Sequence, residues 1–150
     1  DHIGALQELR NYKQVPVYVG KGDKELISNS RNNLSLFMGK EIKCESPDHV
    51  VSDGEVIRLG NLTFTALETP GHTPGGISLY GEGVVFSGDT LFRYSVGRTD
   101  LYGGSASTLI DSINTKLMPL PDDTIVLPGH GPASTIGEER KGNPYLDGGW

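Results

Sequence analysis

Three short runs of this chain end in the same way, and together they restrict the folds that the chain can adopt. Each run follows an apolar, strand-forming stretch and places a glycine directly before a residue that can bind a metal. The runs are Thr69-Pro70-Gly71-His72, Phe86-Ser87-Gly88-Asp89 and Leu127-Pro128-Gly129-His130. Glycine lets the backbone turn sharply where a strand ends. Three such ends meeting at one sheet edge would gather the three side chains into a metal site.

The residue types define what kind of metal site this would be. Imidazole and carboxylate ligands suit Zn²⁺, Fe²⁺ or Mn²⁺. The single cysteine, Cys44, excludes a thiolate-rich site and an intramolecular disulfide, and we interpret it as a small core or surface residue. His49 lacks the strand–glycine–ligand form and is interpreted as a surface residue. The chain also begins on Asp1-His2, a further candidate ligand pair.

Composition limits the class of protein and its partners. A length of 150 residues, 35% of them hydrophobic, predicts a single globular domain over residues 1–150. The net charge of −6 argues against a nucleic-acid partner. No apolar run approaches the roughly 18 residues of a membrane span, so we expect no membrane partner. We take the cytoplasm as the default compartment.

Hydrophobic periodicity predicts a layered α/β fold with a mostly antiparallel sheet. A short amphipathic helix is expected over residues 1–12, a helix start over 22–28 with Asp23 as its cap, and a helix over 105–117 capped by Ser105 or Ser107. A hairpin is expected around Gly60-Asn61, and the tail after Gly131 is expected to be rich in loops. The predicted strands cover residues 14–19, 56–59, 62–67, 76–80, 84–86 and 124–127.

Four motifs carry a resemblance to the metallo-β-lactamase superfamily, in which a His-x-His-x-Asp-His motif precedes a His, a bridging Asp and a final His. The resemblance implies an αββα sandwich, of which this chain would be the C-terminal portion. The family's His-x-His and its N-terminal strands would stand before Asp1, so we expect the chain to be incomplete at its N-terminus. The motifs are Asp1-His2-Ile3-Gly4, Pro70-Gly71-His72-Thr73-Pro74-Gly75, Gly88-Asp89-Thr90-Leu91-Phe92 and Pro128-Gly129-His130-Gly131-Pro132.

The resemblance also implies which residues are metal ligands. One metal position would keep Asp1, His2, Asp89 and His130, and the other would keep His72 and the shared Asp89. Two zinc ions are implied for the intact site, with iron or manganese as alternatives. Because the second position keeps only two of these ligands, the chain by itself would bind one metal reasonably and the second poorly.

Further motifs make the chain most similar to the glyoxalase II (hydroxyacylglutathione hydrolase) group, particularly its short bacterial members. The implied reaction is hydrolysis of a thioester such as S-(2-hydroxyacyl)glutathione by a metal-bound hydroxide, with Asp89 bridging the metals and Asp1 orienting the hydroxide. The leaving thiol has a pKa of about 8.5 and needs little acid assistance. The motifs are Gly97-Arg98-Thr99-Asp100-Leu101, Glu139-Arg140 and Asn143-Pro144-Tyr145.

Five residues are candidates for substrate binding, and each has a structural alternative. Arg98 could instead pair with Asp100 and shape the loop after Asp89, which is the interpretation we favour. The two tyrosines could simply pack within that loop, and the two C-terminal cations could lie in a solvated tail rather than meet glutathione's carboxylate. The candidates are Tyr94, Arg98, Tyr102, Arg140 and Lys141.

Other functions stay open at this point. A mononuclear iron persulfide dioxygenase of the same superfamily also carries a Gly-Arg-Thr-Asp run, and in it Asp1, His2 and His130 would not be ligands. A non-catalytic binding domain of the same fold is a second alternative, and a nuclease is disfavoured by the acidic charge. The sequence leaves open the exact substrate, the physiological metal and the oligomeric state.

Overall fold

The central sheet has six strands, and their order explains how distant segments of the sequence meet. The computed structural model describes residues 2–146. The strands are β1 (Tyr18–Gly20), β2 (His49–Val51), β3 (Val56–Leu59), β4 (Leu62–Glu68), β5 (Ile77–Gly81), β6 (Val84–Gly88), β7 (Leu91–Phe92), β8 (Ser95–Val96), β9 (Ile125–Pro128) and β10 (Ser134–Thr135). The order of strands in the central sheet is β10-β9-β6-β5-β4-β3, and neighbouring strands are antiparallel except β6 and β9, which are parallel.

Strand direction brings three strand ends to one edge of this sheet. β4 and β6 are both antiparallel to β5, so they run in the same direction, and β9 is parallel to β6. Gly88 at the end of β6 is in register with Pro128 at the end of β9. The residues that follow β4, β6 and β9 therefore emerge together, as the three glycine-containing runs predict.

The α-helices in the described part of the chain pack in two places: the second and third contribute to the core on the central sheet, and Leu6 of the first packs on a separate cluster of Val17, Ile27 and Cys44. They are α1 (Leu6–Lys13), α2 (Ala106–Ser112), which continues as a π-helical turn over Ile113–Leu117, and α3 (Ile136–Gly142). Ser105 caps α2, because its side chain accepts a hydrogen bond from the Thr108 N–H. The fully buried core joins helix and sheet residues: Val85, Leu91, Leu109, Ile113, Leu117, Val126 and Ile136.

Two smaller strand pairs flank the central sheet. β1 pairs in parallel with β2, and β7 forms a hairpin with β8. The strand predicted over residues 14–19 begins only at Tyr18, because Pro16 has no N–H to give to a ladder. Cys44 is buried in a small cluster, and His49 is exposed and stacks on Tyr18 with ring centroids 4.6 Å apart. Both residues are placed as the sequence indicates.

Two helix predictions and the prediction of a loop-rich tail need correction. The first helix begins at Leu6 rather than at residue 1, and no α-helix occurs over residues 22–28, where a 3₁₀ turn covers Lys21–Asp23. The tail after Gly131 is not only loop, because it holds β10 and α3. Thr135 and Glu138 form a reciprocal capping box at the start of α3, a local signal that the sequence does contain. Among the described residues, no helix has both the length and the apolar content that crossing a membrane requires.

Candidate metal centre

Three histidines converge on one carboxylate oxygen at the shared sheet edge. Asp89 Oδ2 lies 3.2 Å from His2 Nε2, 3.6 Å from His72 Nε2 and 3.6 Å from His130 Nε2. The Nε2 atoms of His2 and His130 are 3.2 Å apart. One ligand atom from each of His2, Asp89 and His130 lies within 4.8 Å of the others, which is the spacing of groups around a metal ion. The structure therefore brings together all the predicted ligands except Asp1, which lies outside the described residues.

The hydrogen bond of His72 at Nδ1 leaves its Nε2 atom suited to bind a metal beside Asp89. His72 Nδ1 lies 2.8 Å from the carbonyl oxygen of Arg98, which can only accept a hydrogen bond, so Nδ1 carries the proton. In the neutral ring, Nε2 then holds a lone pair, and this lone pair faces Asp89 Oδ2. A backbone carbonyl that fixes the tautomer is the usual outer support of a metal-binding histidine.

The surroundings of Asp89 also fit a metal. Its Oδ1 atom is buried and has no hydrogen-bond partner among residues 2–146, although buried polar atoms are normally paired. A Cβ atom at Gly129 would lie 2.4 Å from that oxygen and 2.6 Å from His2 Cε1. Glycine before His130 is therefore required for space beside the carboxylate. The donor set and this packing fit divalent metal binding by His2, Asp89 and His130, with His72 and the same carboxylate available to a second metal position.

The loop after Asp89 contains a charged pair, Arg98 and Asp100, whose arginine also contacts His72 through its backbone carbonyl. Arg98 Nε and an η-nitrogen (Nη2) of the same guanidinium each lie 2.8 Å from a different carboxylate oxygen of Asp100. These hydrogen bonds lower the pKa of Asp100 to about 2. The pairing that we favoured for Arg98 is present, and its carbonyl is the group that accepts from His72.

We expect Arg98→Ala to raise the pKa of Asp100 from about 2 toward its ordinary value of 3.8. Because the folded-state pKa lies below the unfolded value, the pair stabilises the fold above about pH 3.8 and loses this effect as pH falls through about 2. A ¹³C NMR titration of the carboxylates measures the shift. The control is Asp48, which pairs with Arg10 and should titrate unchanged. An unchanged Asp100 would contradict the assignment.

The candidate substrate residues divide into two groups. A cleft of about 1300 Å³ opens beside the metal ligands, and Arg98 and Tyr102 line it. Tyr94 does not line it among the described residues: its ring faces Gly142, and its N–H donates to Glu139 Oε2. The two candidate tyrosines therefore do not line the cleft together, because Tyr94 lies in the turn of the β7–β8 hairpin and its ring faces α3.

Neither C-terminal cation reaches this cleft. Arg140 donates to the carbonyl oxygens of Met118 and Leu120 and pairs with Asp122. Lys141 is exposed on α3 and does not line the cleft. Because α3 packs beside the loop that ends the π-helical turn, Arg140 supports that loop. Neither cation therefore lies where it could contact a substrate in the cleft, as its candidate role would require.

Two acidic residues near the site, one partly buried and one fully buried, could not be recognised from the local sequence. Asp23, predicted as a helix cap, instead lines the cleft and accepts hydrogen bonds from the loop after His72. Burial raises the pKa of its carboxyl group. Glu139 is fully buried and accepts from the Tyr94 N–H and from Asn143 Nδ2. The pair Glu139 and Asn143 thus fixes the β7–β8 hairpin that follows Asp89.

Comparison with known proteins decides the family. The sequence profile of the metallo-beta-lactamase superfamily matches residues 1–130. The chain belongs to the metallo-beta-lactamase superfamily. Two curated relatives of this superfamily member are the probable metallo-hydrolase YqgX of Bacillus subtilis, 40% identical over 99% of this chain and 72% of the relative, and the hydroxyacylglutathione hydrolase GloC of Haemophilus influenzae, 39% identical over 98% and 71%.

Solved structures agree with this assignment of the fold. The BLEG-1 B3 metallo-beta-lactamase superposes with a TM-score of 0.92 at 42% identity, covering 99% of this chain and 73% of that one. TTHA1623, solved in a di-iron-bound form, gives a TM-score of 0.85 at 39% identity, with 97% and 72% covered. The predicted metallo-β-lactamase fold is confirmed, and the chain is a metal-binding member of a metallo-hydrolase superfamily.

Proposed function

We propose that this protein is a metal-dependent hydrolase that cleaves thioesters such as S-(2-hydroxyacyl)glutathione, with zinc as the metal. The observation that carries the proposal is the position of Asp89 Oδ2, within 3.6 Å of the Nε2 atoms of three histidines. The glutathione thioester is suggested by the similarity to GloC and by the Gly97–Asp100 motif. Cytoplasmic location belongs to the same proposal.

Each residue of the centre has a defined part in this proposal. Bound divalent metal ions would supply Lewis acidity and lower the pKa of water to about 7. Asp89 would hold the metal ions together with the histidines, since its Oδ2 atom lies near all three Nε2 atoms and its buried Oδ1 atom has no hydrogen-bond partner among residues 2–146. His2, His72 and His130 would act as ligands. Asp1 would be a further ligand that orients the attacking water.

The thioester suits the rest of the cleft. A thiolate leaves without a strong acid because the pKa of its thiol is about 8.5. Arg98 and Tyr102 line the cleft and would face the polar end of the substrate. Phe37 and Met38 form an apolar wall of the same cleft and are 71% and 76% exposed, so they offer surface to an acyl or peptide chain.

The substrate class can be tested directly on the full-length protein loaded with zinc. We expect metal-dependent loss of thioester absorbance with S-(2-hydroxyacyl)glutathione and no uptake of oxygen with a glutathione persulfide. Oxygen uptake with iron-loaded protein, without thioester cleavage, would support the dioxygenase instead. That alternative does not use His2 and His130 as ligands, and the distances of 3.2 and 3.6 Å from their Nε2 atoms to Asp89 Oδ2 support the hydrolase.

A β-lactam belongs in the same assay, because the BLEG-1 structure resembles this chain closely. The two reactions share the carbonyl chemistry of the metal centre and differ in the group that leaves. We expect the thioester to be turned over faster than a chromogenic cephalosporin at equal concentration. Faster cleavage of the cephalosporin would overturn the thioester proposal while keeping the hydrolase.

A further inference from the structure

Asp23 lies far from His72 in the sequence but holds the loop that begins with it. Thr73 Oγ1 donates to Asp23 Oδ2 at 2.5 Å, and the Gly75 N–H donates to Asp23 Oδ1 at 2.7 Å. Thr73 directly follows His72, so the two carboxylate oxygens of Asp23 accept hydrogen bonds from the first and the third residue after the candidate ligand. The carboxylate is only partly exposed and lines the cleft.

Close backbone packing also holds the loop after His72 in place. A Cβ atom at Gly20 would lie 2.0 Å from the Gly75 carbonyl oxygen, and one at Gly22 would lie 2.5 Å from the Pro74 carbonyl. The segment from Gly20 to Asp23 therefore lies directly against the backbone of Pro74 and Gly75. This contact joins the end of β1, in the two-stranded sheet, to the loop after β4, in the central sheet.

We infer that Asp23 is a positioning residue for the metal ligand His72, acting through Thr73. The imidazole is then fixed from two directions: the Arg98 carbonyl sets its tautomer through Nδ1, and Asp23 sets the path of the backbone that carries it. Groups that orient a metal ligand in this way affect metal affinity by about 10- to 100-fold. The inference rests on the proposed use of His72 as a ligand.

The test measures cobalt(II) affinity and the ligand-field absorption spectrum of the full-length protein. Asp23→Ala and Thr73→Val should each lower cobalt affinity by about 10- to 100-fold and alter the spectrum. Thr73→Ser keeps the hydroxyl and should restore both. The double variant should lose no more than Asp23→Ala alone, because that variant already lacks the contact with Thr73.

Asp53→Ala is the matched control. Asp53 also accepts a backbone hydrogen bond, from the Glu68 N–H, and pairs with Lys116, but it takes no part in the metal centre. The Asp53→Ala variant should at most lose some thermal stability, and its cobalt affinity and absorption spectrum should be unchanged. His72→Ala serves as the reference for losing the ligand itself.

The outcomes separate the two levels of inference. If His72→Ala leaves cobalt binding unchanged, the use of His72 as a ligand fails and the role of Asp23 fails with it. If His72→Ala weakens binding but Thr73→Val does not, the positioning role alone is wrong. If Thr73→Ser is as impaired as Thr73→Val, packing rather than the hydroxyl contact is responsible, which also overturns the inference.

Discussion

Asp89→Asn is expected to remove metal binding and hydrolysis together while leaving the fold intact. Asparagine has the shape of aspartate, but it lacks the charge that balances a cation among three histidines at 3.2 to 3.6 Å. A metal centre supplies several kcal/mol of transition-state stabilisation, so turnover should fall by about 10³-fold or more. Metal content by mass spectrometry and the thioester assay measure the two losses.

Asp53→Asn is the control for this substitution, since it makes the same chemical change at an ion pair with Lys116 outside the cleft. Its metal content and turnover should match those of the unmodified protein. Circular dichroism and thermal melting should show that Asp89→Asn still folds. If that variant binds metal fully and retains turnover, Asp89 is not the residue on which the centre depends.

Gly71→Ala is expected to destabilise the fold strongly and to displace His72. Gly71 has φ +135°, a region that alanine rarely adopts, and a Cβ atom there would lie 2.4 Å from the backbone N and Cα of Leu109 in α2. The Ser105 N–H also donates to the Gly71 carbonyl at 2.8 Å. Strain and overpacking together should lower the free energy of unfolding by about 3 kcal/mol or more and displace His72.

Gly83→Ala separates the two causes. Gly83 also has positive φ, +75°, but nothing lies within 4 Å of a Cβ atom built there. It should cost about 1 kcal/mol from backbone strain alone and leave metal binding unchanged. Urea denaturation measures both variants. Equal losses at the two positions would show that contact with α2 contributes nothing to holding the loop before His72.

The sequence contains the information for the sheet edge because each ligand follows its own strand directly. His72, Asp89 and His130 can be identified from local pattern, since strand, glycine and ligand are adjacent in the chain. β-strand direction then brings the three ends together without further information. Of the two expected caps of α2, Ser105 is the one used, and the mostly antiparallel sheet is confirmed, because local signals determine both. The metallo-β-lactamase fold, which the motifs imply by resemblance, is confirmed as well.

Features that depend on contacts between residues far apart in the sequence could not be predicted from local patterns. Asp23 has the position of a helix cap, but its partners Thr73 and Gly75 are about 50 residues away in sequence. Arg140 and Tyr94 are candidates for substrate binding or for structural roles in the sequence, and the packing of α3 decides where they point. Periodicity also overlooks α3 itself, because its capping box is followed by a polar run with few apolar residues.

The metal centre can be located directly by anomalous diffraction from crystals of the zinc-loaded full-length protein. The predicted result is a pair of peaks at the sheet edge, one coordinated by Nε2 of His2 and His130 with Asp89, and one by His72 with Asp89. Zinc bound elsewhere, or a zinc-loaded crystal with no peak among these four side chains, would contradict the proposed centre and with it the hydrolase mechanism.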